Sequence, residues 1–180
     1  MTIQRRTLVG LLGVTAIVLA CTGAPRAQAG RRSPHESTSA TIDGSEMSIL
    51  YGRPSVRGRE IFGRLVSWND VWCPGADECT RLTTSKPLKL RDLAVPAGEY
   101  TLWMLPTEDV WTLIVNRNAY AFHTNYRSRD DLGRVRLDKR ALDDLVEQLT
   151  FSIDKARSGP GGRIVMAWAK TEVSAPFTVE

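Results

Sequence analysis

From Ser37 onward the apolar residues fall on alternate positions, the spacing of half-buried strands rather than of helices. In TSATIDGSEMSILYG two alternating runs flank an Asp43-Gly44 step, the signature of a two-residue hairpin turn. CTRLTTSK, LKLRD, GEYTLWML and DVWTLIVN follow, divided by KP, VPAG and PTED breaks. In GEYTLWML, Tyr100, Leu102 and Met104 share one face and Thr101, Trp103 and Leu105 the other, so both faces are expected to be covered. After Asn116 the stretch RNAYAFHTNYRSRDD is less regular. GRVRLDK, EQLTFSIDK, GRIVMAWAK and EVSAPFTVE then resume the alternation, with SGPGG as a hairpin turn. Ile164, Met166 and Trp168 are expected on one face, Val165, Ala167 and Ala169 on the other.

Short strands at this spacing predict an all-β domain over residues 34–180. The expected form is an antiparallel β-sandwich or flattened barrel with one long irregular loop and at most one or two short helices. Helical turns are expected only in VRGREIFGRL and KRALDDLVEQ. The second places Ala141, Leu142, Leu145 and Val146 at helical spacing, over barely two turns. No internal repeat and no interdomain linker is visible.

The start of the chain reads as an export signal. Arg5 and Arg6 form a positive n-region, and Leu8 to Ala20 an apolar run too short for a comfortable membrane span. VLAC is similar to a bacterial lipobox, which makes residues 1–20 a signal peptide and Cys21 an acylated N-terminus. AQAG offers the alternative of cleavage after Ala29, giving a soluble periplasmic or secreted protein. RRTLV also admits a twin-arginine route. Residues 21–33 are then a tether, and membrane attachment is expected through lipid at Cys21, in the periplasm or at the outer membrane.

Removing the signal changes the charge argument. The chain carries 24 basic and 20 acidic residues, and loss of Arg5 and Arg6 leaves 22 against 20. A mature chain so close to neutral has no electrostatic footprint for nucleic acid. Export also implies an oxidising compartment, in which Cys73 and Cys79 are the pair left once Cys21 is lipidated or removed.

Those cysteines lie in VWCPGADECT, residues 71–80. A structural zinc site wants four Cys or His ligands in close pairs, but five residues separate these two and His35 and His123 are far off in sequence. No metal and no cofactor is expected. A thioredoxin-type site wants C-x-x-C at a helix start, which CPGADEC does not supply. The preferred reading is a local disulfide, with Pro74-Gly75 turning the chain and a contribution of roughly 2 to 2.5 kcal/mol. Asp77 and Glu78 are adjacent, so in an extended segment they point to opposite sides and do not form a carboxylate pair. Either could still serve as an acid or base beside Arg53 or Arg59; a structural role for Glu78 is preferred. Both histidines are expected to be exposed rather than catalytic, since neither has a nucleophile nearby in sequence.

Longer motifs support a family resemblance. SPH (Ser33 to His35), YGRPSVRGREIFGRLV (Tyr51 to Val66), VWCPGADECT, VPAGEYTLWMLP, WTLIVN, GRVRL and AWAKTEVSAPFTV together resemble the bacterial domain of unknown function 2911 family, in order and over nearly all of the mature chain. The resemblance implies an exported, often lipid-anchored protein and supplies no reaction, ligand or partner. The family pattern carries Arg and a small residue where this chain has Cys73 and Cys79, which puts in doubt any function needing that arginine.

Tyr51, Arg53, Arg59, Trp72, Glu78, Trp111 and Asn116 are the candidate ligand-binding residues among the motifs. They can line a pocket, with arginines for carboxylates or sugar hydroxyls and tryptophans for stacking. The competing and preferred reading is a buried Arg–Glu network pinning the long loop, with Trp72 and Trp111 as core anchors. The expected function is a non-enzymatic envelope module binding a small molecule, glycan or envelope protein. The alternative is a hydrolase or isomerase using Glu78 or Asp77 as acid/base with Arg53 or Arg59. Phosphate loops, dinucleotide fingerprints, G-x-S-x-G elbows and H-E-x-x-H helices do not occur.

Overall fold

A computed structural model of the protein describes residues 33–180. The expected signal peptide, Cys21 and all but the last residue of the expected tether lie outside the described residues. Nine strands form in chain order: β1 (His35–Ile42), β2 (Ser45–Gly52), β3 (Arg81–Thr84), β4 (Leu88–Leu90), β5 (Leu93–Val95), β6 (Gly98–Pro106), β7 (Trp111–Asn116), β8 (Asp131–Lys155) and β9 (Gly162–Val179). They make one antiparallel sheet in the order β1-β2-β3-β6-β7-β8-β9-β4-β5, which is not closed. The all-β fold is thus the one the alternation predicts. Among the described residues no helix is long and apolar enough to cross a membrane.

The first hairpin follows from its turn. Asp43 and Gly44 both adopt positive φ, at 49° and 77°, the twist that matches two antiparallel strands. The register then pairs Ile42 with Ser45 and, at the far end, His35 with Gly52.

Folding the sheet over itself brings β8 across β1 and β2, and the inward residues merge into one core. Ile49, Tyr51, Leu82, Leu102 and Met104 enter it from one side, Leu149, Phe151, Ile164, Met166 and Trp168 from the other. Tyr51 meets Phe151 edge to face, ring centroids 5.1 Å apart. Burying each such side chain contributes roughly 1.5–3 kcal/mol.

β6 and β7 are covered on both faces, as the run GEYTLWML predicts. Their outward residues Trp103 and Ile114 join Cys73, Cys79 and Ala121 in a second, smaller apolar cluster. Its cover is the end of the long β2–β3 loop together with residues 117–127.

The long β-runs correct one expectation. KRALDDLVEQ is not helical but lies inside the 25-residue β8. Its pairing with β9 slips twice, Ala141 opposing Thr171, Val146 opposing Ala169 and Thr150 opposing Ala167. The extra residues bulge outward and imitate a helical spacing, while Ala169 takes a φ of 53° to absorb the slip. GRVRLDK with EQLTFSIDK, and GRIVMAWAK with EVSAPFTVE, are likewise single strands, since no Gly or Pro separates the two runs of either pair. VRGREIFGRL forms turns and an isolated bridge from Phe62 to Val66, and among the described residues a single 3-10 turn occurs, at Ser128–Asp130.

Candidate functional site

The β2–β3 loop is anchored along its whole course. Leu149 N donates to the Pro54 carbonyl (3.0 Å) and Val56 N to the Glu147 carbonyl (2.8 Å), fixing its start to β8. Arg53 reinforces this through the Leu149 carbonyl (3.1 Å), the Thr150 hydroxyl (2.9 Å) and an ion pair with Glu36. Arg59 turns back onto its own segment, donating to the Val56 and Ser55 carbonyls. Further on, Phe62, Trp68, Trp72, Trp111 and Trp168 pack ring on ring. Trp72 stacks on Trp168 at 6.0 Å and Phe62 meets Trp111 edge to face at 4.7 Å. Trp111 is therefore placed in the core, and Trp72, half-buried, packs against it.

The last part of the loop is closed by the Cys73–Cys79 disulfide, whose Cα atoms lie 5.8 Å apart. The Thr80 hydroxyl, fully buried, donates to the Pro74 carbonyl inside it. The loop sits on the end of β2 so closely that a Cβ on Gly52 would collide with the Ala76 backbone.

Asp77 occupies the left-handed region with φ 66°. That conformation breaks the extended alternation and corrects the expectation that the two carboxylates diverge. Asp77 Oδ2 and Glu78 Oε2 both lie 3.4 Å from His35 Nε2. The His35 side chain is only 8% exposed, so the expectation of a solvent-facing histidine is also corrected. His123, half-buried, bonds through Nδ1 to the Asp77 carbonyl. Both histidines thus reach the disulfide loop from distant parts of the chain.

Residues 119–123 clasp the loop from the other side. Glu78 bridges Phe122, and Cys79 N donates to the Ala121 carbonyl at 3.3 Å. Asn116 holds the base of this segment: its amide donates to the Arg127 carbonyl (3.0 Å) and to Asp131 Oδ1 (2.9 Å), and its oxygen accepts from Asn118 N (3.0 Å). Beside it the Tyr126 hydroxyl donates to Asp131 Oδ2 at 2.7 Å, and burial with that bond pushes the phenol up to about 12.

Between the disulfide loop, the ends of β1 to β3 and residues 119–122 lies a cleft of about 400 Å³. His35, Glu78 and Arg81 supply its polar groups, while Tyr51 backs it with its hydroxyl bonded to the Phe151 carbonyl in the core (3.5 Å). Leu50, Ala119, Ala121 and Phe122 supply most of its apolar wall, and Tyr120 stands at its side. Of five large hydrophobic residues exposed on the described surface, Leu50, Tyr120 and Phe122 all line this one cleft. The Arg81 guanidinium carbon lies 5.1 Å from the Tyr120 ring centroid. The Tyr120 hydroxyl donates to Glu99 at 2.8 Å, a bond that raises its pKa, and burial raises that of Tyr51, so both phenols keep their protons at ordinary pH.

Of the sequence-predicted residues, Glu78 and Tyr51 line the cleft, Tyr51 with its ring and hydroxyl packed into the core against Phe151. Arg53, Arg59, Trp72, Trp111 and Asn116 are engaged in anchoring. His35, Leu50, Arg81, Tyr120 and Phe122 were missed by sequence reasoning. The Asp43-Gly44 turn alone could have placed His35, because its register sets residue 35 beside residue 52. Among the described residues no group of three or more His, Cys, Asp or Glu is arranged to hold a metal ion.

Comparison with known families settles the kinship. The family described as Protein of unknown function (DUF2911) matches residues 33–177. The chain belongs to the DUF2911 family. The match begins at Ser33 and so takes in His35, both cysteines and every cleft residue. No curated protein and no solved structure matches the chain.

Proposed function

We propose that this DUF2911 protein is an exported, lipid-anchored binding module of the cell envelope, non-enzymatic, holding a small ligand in the cleft beside the disulfide loop. One observation carries the reading: exposed Leu50, Tyr120 and Phe122 gather around His35, Glu78 and Arg81 in a single concavity. An apolar wall with a few convergent polar groups is the ordinary composition of a small-molecule site. The disulfide and the Asn116 bonds hold both walls in place before a ligand arrives, which lowers the ordering cost of binding. Lipid at Cys21 would keep the domain close to the membrane, because the twelve residues from there to Ser33 reach at most about 43 Å.

The test is a library of small aromatic and polyol fragments screened by amide correlation spectra. Shifts should cluster at Leu50, Cys79, Arg81 and Ala119 to Phe122, and vanish in Phe122→Ser. Shifts spread over the surface, or none, would remove the reading. Mass spectrometry of protein from membranes decides the lipid separately: a diacylglyceryl cysteine at Cys21 is expected, and a free Gly30 terminus would replace it with soluble export.

A second reading is favoured by the convergence of Asp77 and Glu78 on His35 at the cleft's edge. That group could pass a proton to a bound substrate, as a hydrolase or isomerase requires. Arg53 and Arg59 are committed elsewhere, so Arg81 would be the polarising cation. A Glu78→Gln protein that binds normally but loses turnover in a substrate screen would establish it, and unchanged turnover would remove it.

A further inference from the structure

The cleft opens onto a bare stretch of sheet. Antiparallel partners share a face, so Arg81, Leu50 and Ser37 form one row across β3, β2 and β1, with Thr83, Ser48 and Ser39 as the next. A third row holds Ser85, Glu46 and Thr41. The opposite face of β2 sends Met47, Ile49 and Tyr51 into the core, so the hydroxyl side is the outward one. Beside the cleft, and sharing these three strands with it, is a shallow trough of about 520 Å³ lined by Ser39, Thr41, Glu46, Ser48, Thr83 and Ser85.

We infer that cleft and trough form one continuous site for an oligosaccharide, with a sugar ring on Tyr120 and Phe122 and the following rings laid over the hydroxyl rows. The inference rests on the binding reading above and names its ligand. Three features point to a polyhydroxylated chain. First, the length suits an extended ligand: four residues of strand separate the Leu50 row from the Glu46 row, about 13 Å. Second, several of the polar groups on offer are uncommitted. Among the described residues the hydroxyls of Ser39, Ser48 and Thr83 take no protein hydrogen bond, and Arg81 joins no ion pair, with no acidic residue preceding Glu36 in the sequence. Serine and threonine hydroxyls both donate and accept, as sugar hydroxyls do, so each can pair without a fixed polarity. Third, Tyr120 is 77% exposed with Arg81 against its ring and its hydroxyl fixed by Glu99, an oriented aromatic surface rather than a mobile one. Carbon-bearing faces of sugar rings pack on such surfaces while their edges meet Arg and Glu.

Isothermal titration of the purified protein with mono-, di- and tetrasaccharides of the chito-, cello- and malto- series, with benzoate as a small carboxylate control, tests this. At least one series should bind with affinity that rises about tenfold or more from disaccharide to tetrasaccharide. Tyr120→Ala should weaken every length, whereas S48V with T83V should bring the tetrasaccharide down to the disaccharide without moving the disaccharide itself. Circular dichroism verifies that each variant is folded. Affinity independent of chain length, or unaffected by the Ser48 and Thr83 pair, overturns the inference but leaves the cleft reading. Benzoate binding without sugar binding does the same. Failure of sugars, benzoate and the fragment library together removes both.

Discussion

One face of one sheet is built in two ways. The outward side of β6 and β7 is buried under the disulfide loop and residues 117–127, with Trp103 and Ile114 at 1% and 0% exposure. The outward side of β1 to β3, continuous with it, carries mostly small hydroxyls and, among the described residues, no such cover. The difference is written in composition: apolar side chains at consecutive positions along β6 require two partners, whereas the alternation in β2, broken only by exposed Leu50, requires one. The cleft lies at the seam where cover stops, and that explains why exposed apolar residues collect there. A loop edge that shields one half necessarily leaves a wall against the other.

The largest expected effect breaks the covered half. Trp103→Ala removes a buried indole whose N–H bonds the Thr101 hydroxyl at 3.0 Å, and should cost about 3–5 kcal/mol in denaturant unfolding. A loss below about 1 kcal/mol would mean that the cover is not part of the cooperative fold. Removing the bridge is next. Cys73→Ser with Cys79→Ser should cost about 2 kcal/mol on loop-closure grounds, and should raise amide exchange from Ala76 to Thr80 while β1 to β3 exchange as before.

This contrast marks how much was legible beforehand. Strand positions, the Asp43-Gly44 hairpin, the two-sided burial of β6 and the bridge were readable because each depends on neighbours in sequence. The cleft was not, because it is assembled by long-range pairing: His35 meets Asp77 across 42 positions and His123 meets Asp77 across 46. The left-handed conformation of Asp77 has no signal in DEC, and in the loop that contains it both carboxylates reach one imidazole. In β8 the failure was of another kind. Periodicity assumes an unbroken ladder, and two bulges in one strand produced spacing that a helix would also give.

A smaller effect is expected at the edge of the cover, from Tyr126. Burial, and then the Asp131 hydrogen bond, raise its pKa from 10.0 to about 12. The folded phenol therefore keeps its proton over a range in which the unfolded one loses it. The stability tied to the protonated form is complete below about pH 10 and is lost as the pH rises through about 12. Ultraviolet titration should show all four phenols ionising above the ordinary value with Tyr126 at about 12, and Asp131→Asn should move the Tyr126 midpoint down without abolishing the part due to burial. Four tyrosines titrating together near 10 would refute it.

The smallest effect is the sharpest comparison, because it sets two threonines of one face against each other. Thr101 on β6 pairs with Arg81, and Thr83 stands two residues further along the neighbouring strand. Thr101 is fully buried, donates to the Asn118 carbonyl at 2.9 Å and accepts the Trp103 indole proton. Thr101→Val should cost about 1–3 kcal/mol, since it strands a buried donor and a buried acceptor at once. Thr83→Val places the same isosteric change where water meets the hydroxyl, and a β-branched residue suits the strand, so stability should move by less than about 0.5 kcal/mol. Equal costs at the two positions, measured in paired urea titrations, would mean that the bare half is covered after all. A null effect at Thr83 leaves its hydroxyl free of any structural duty, which is the condition a ligand-contacting group on that face must meet.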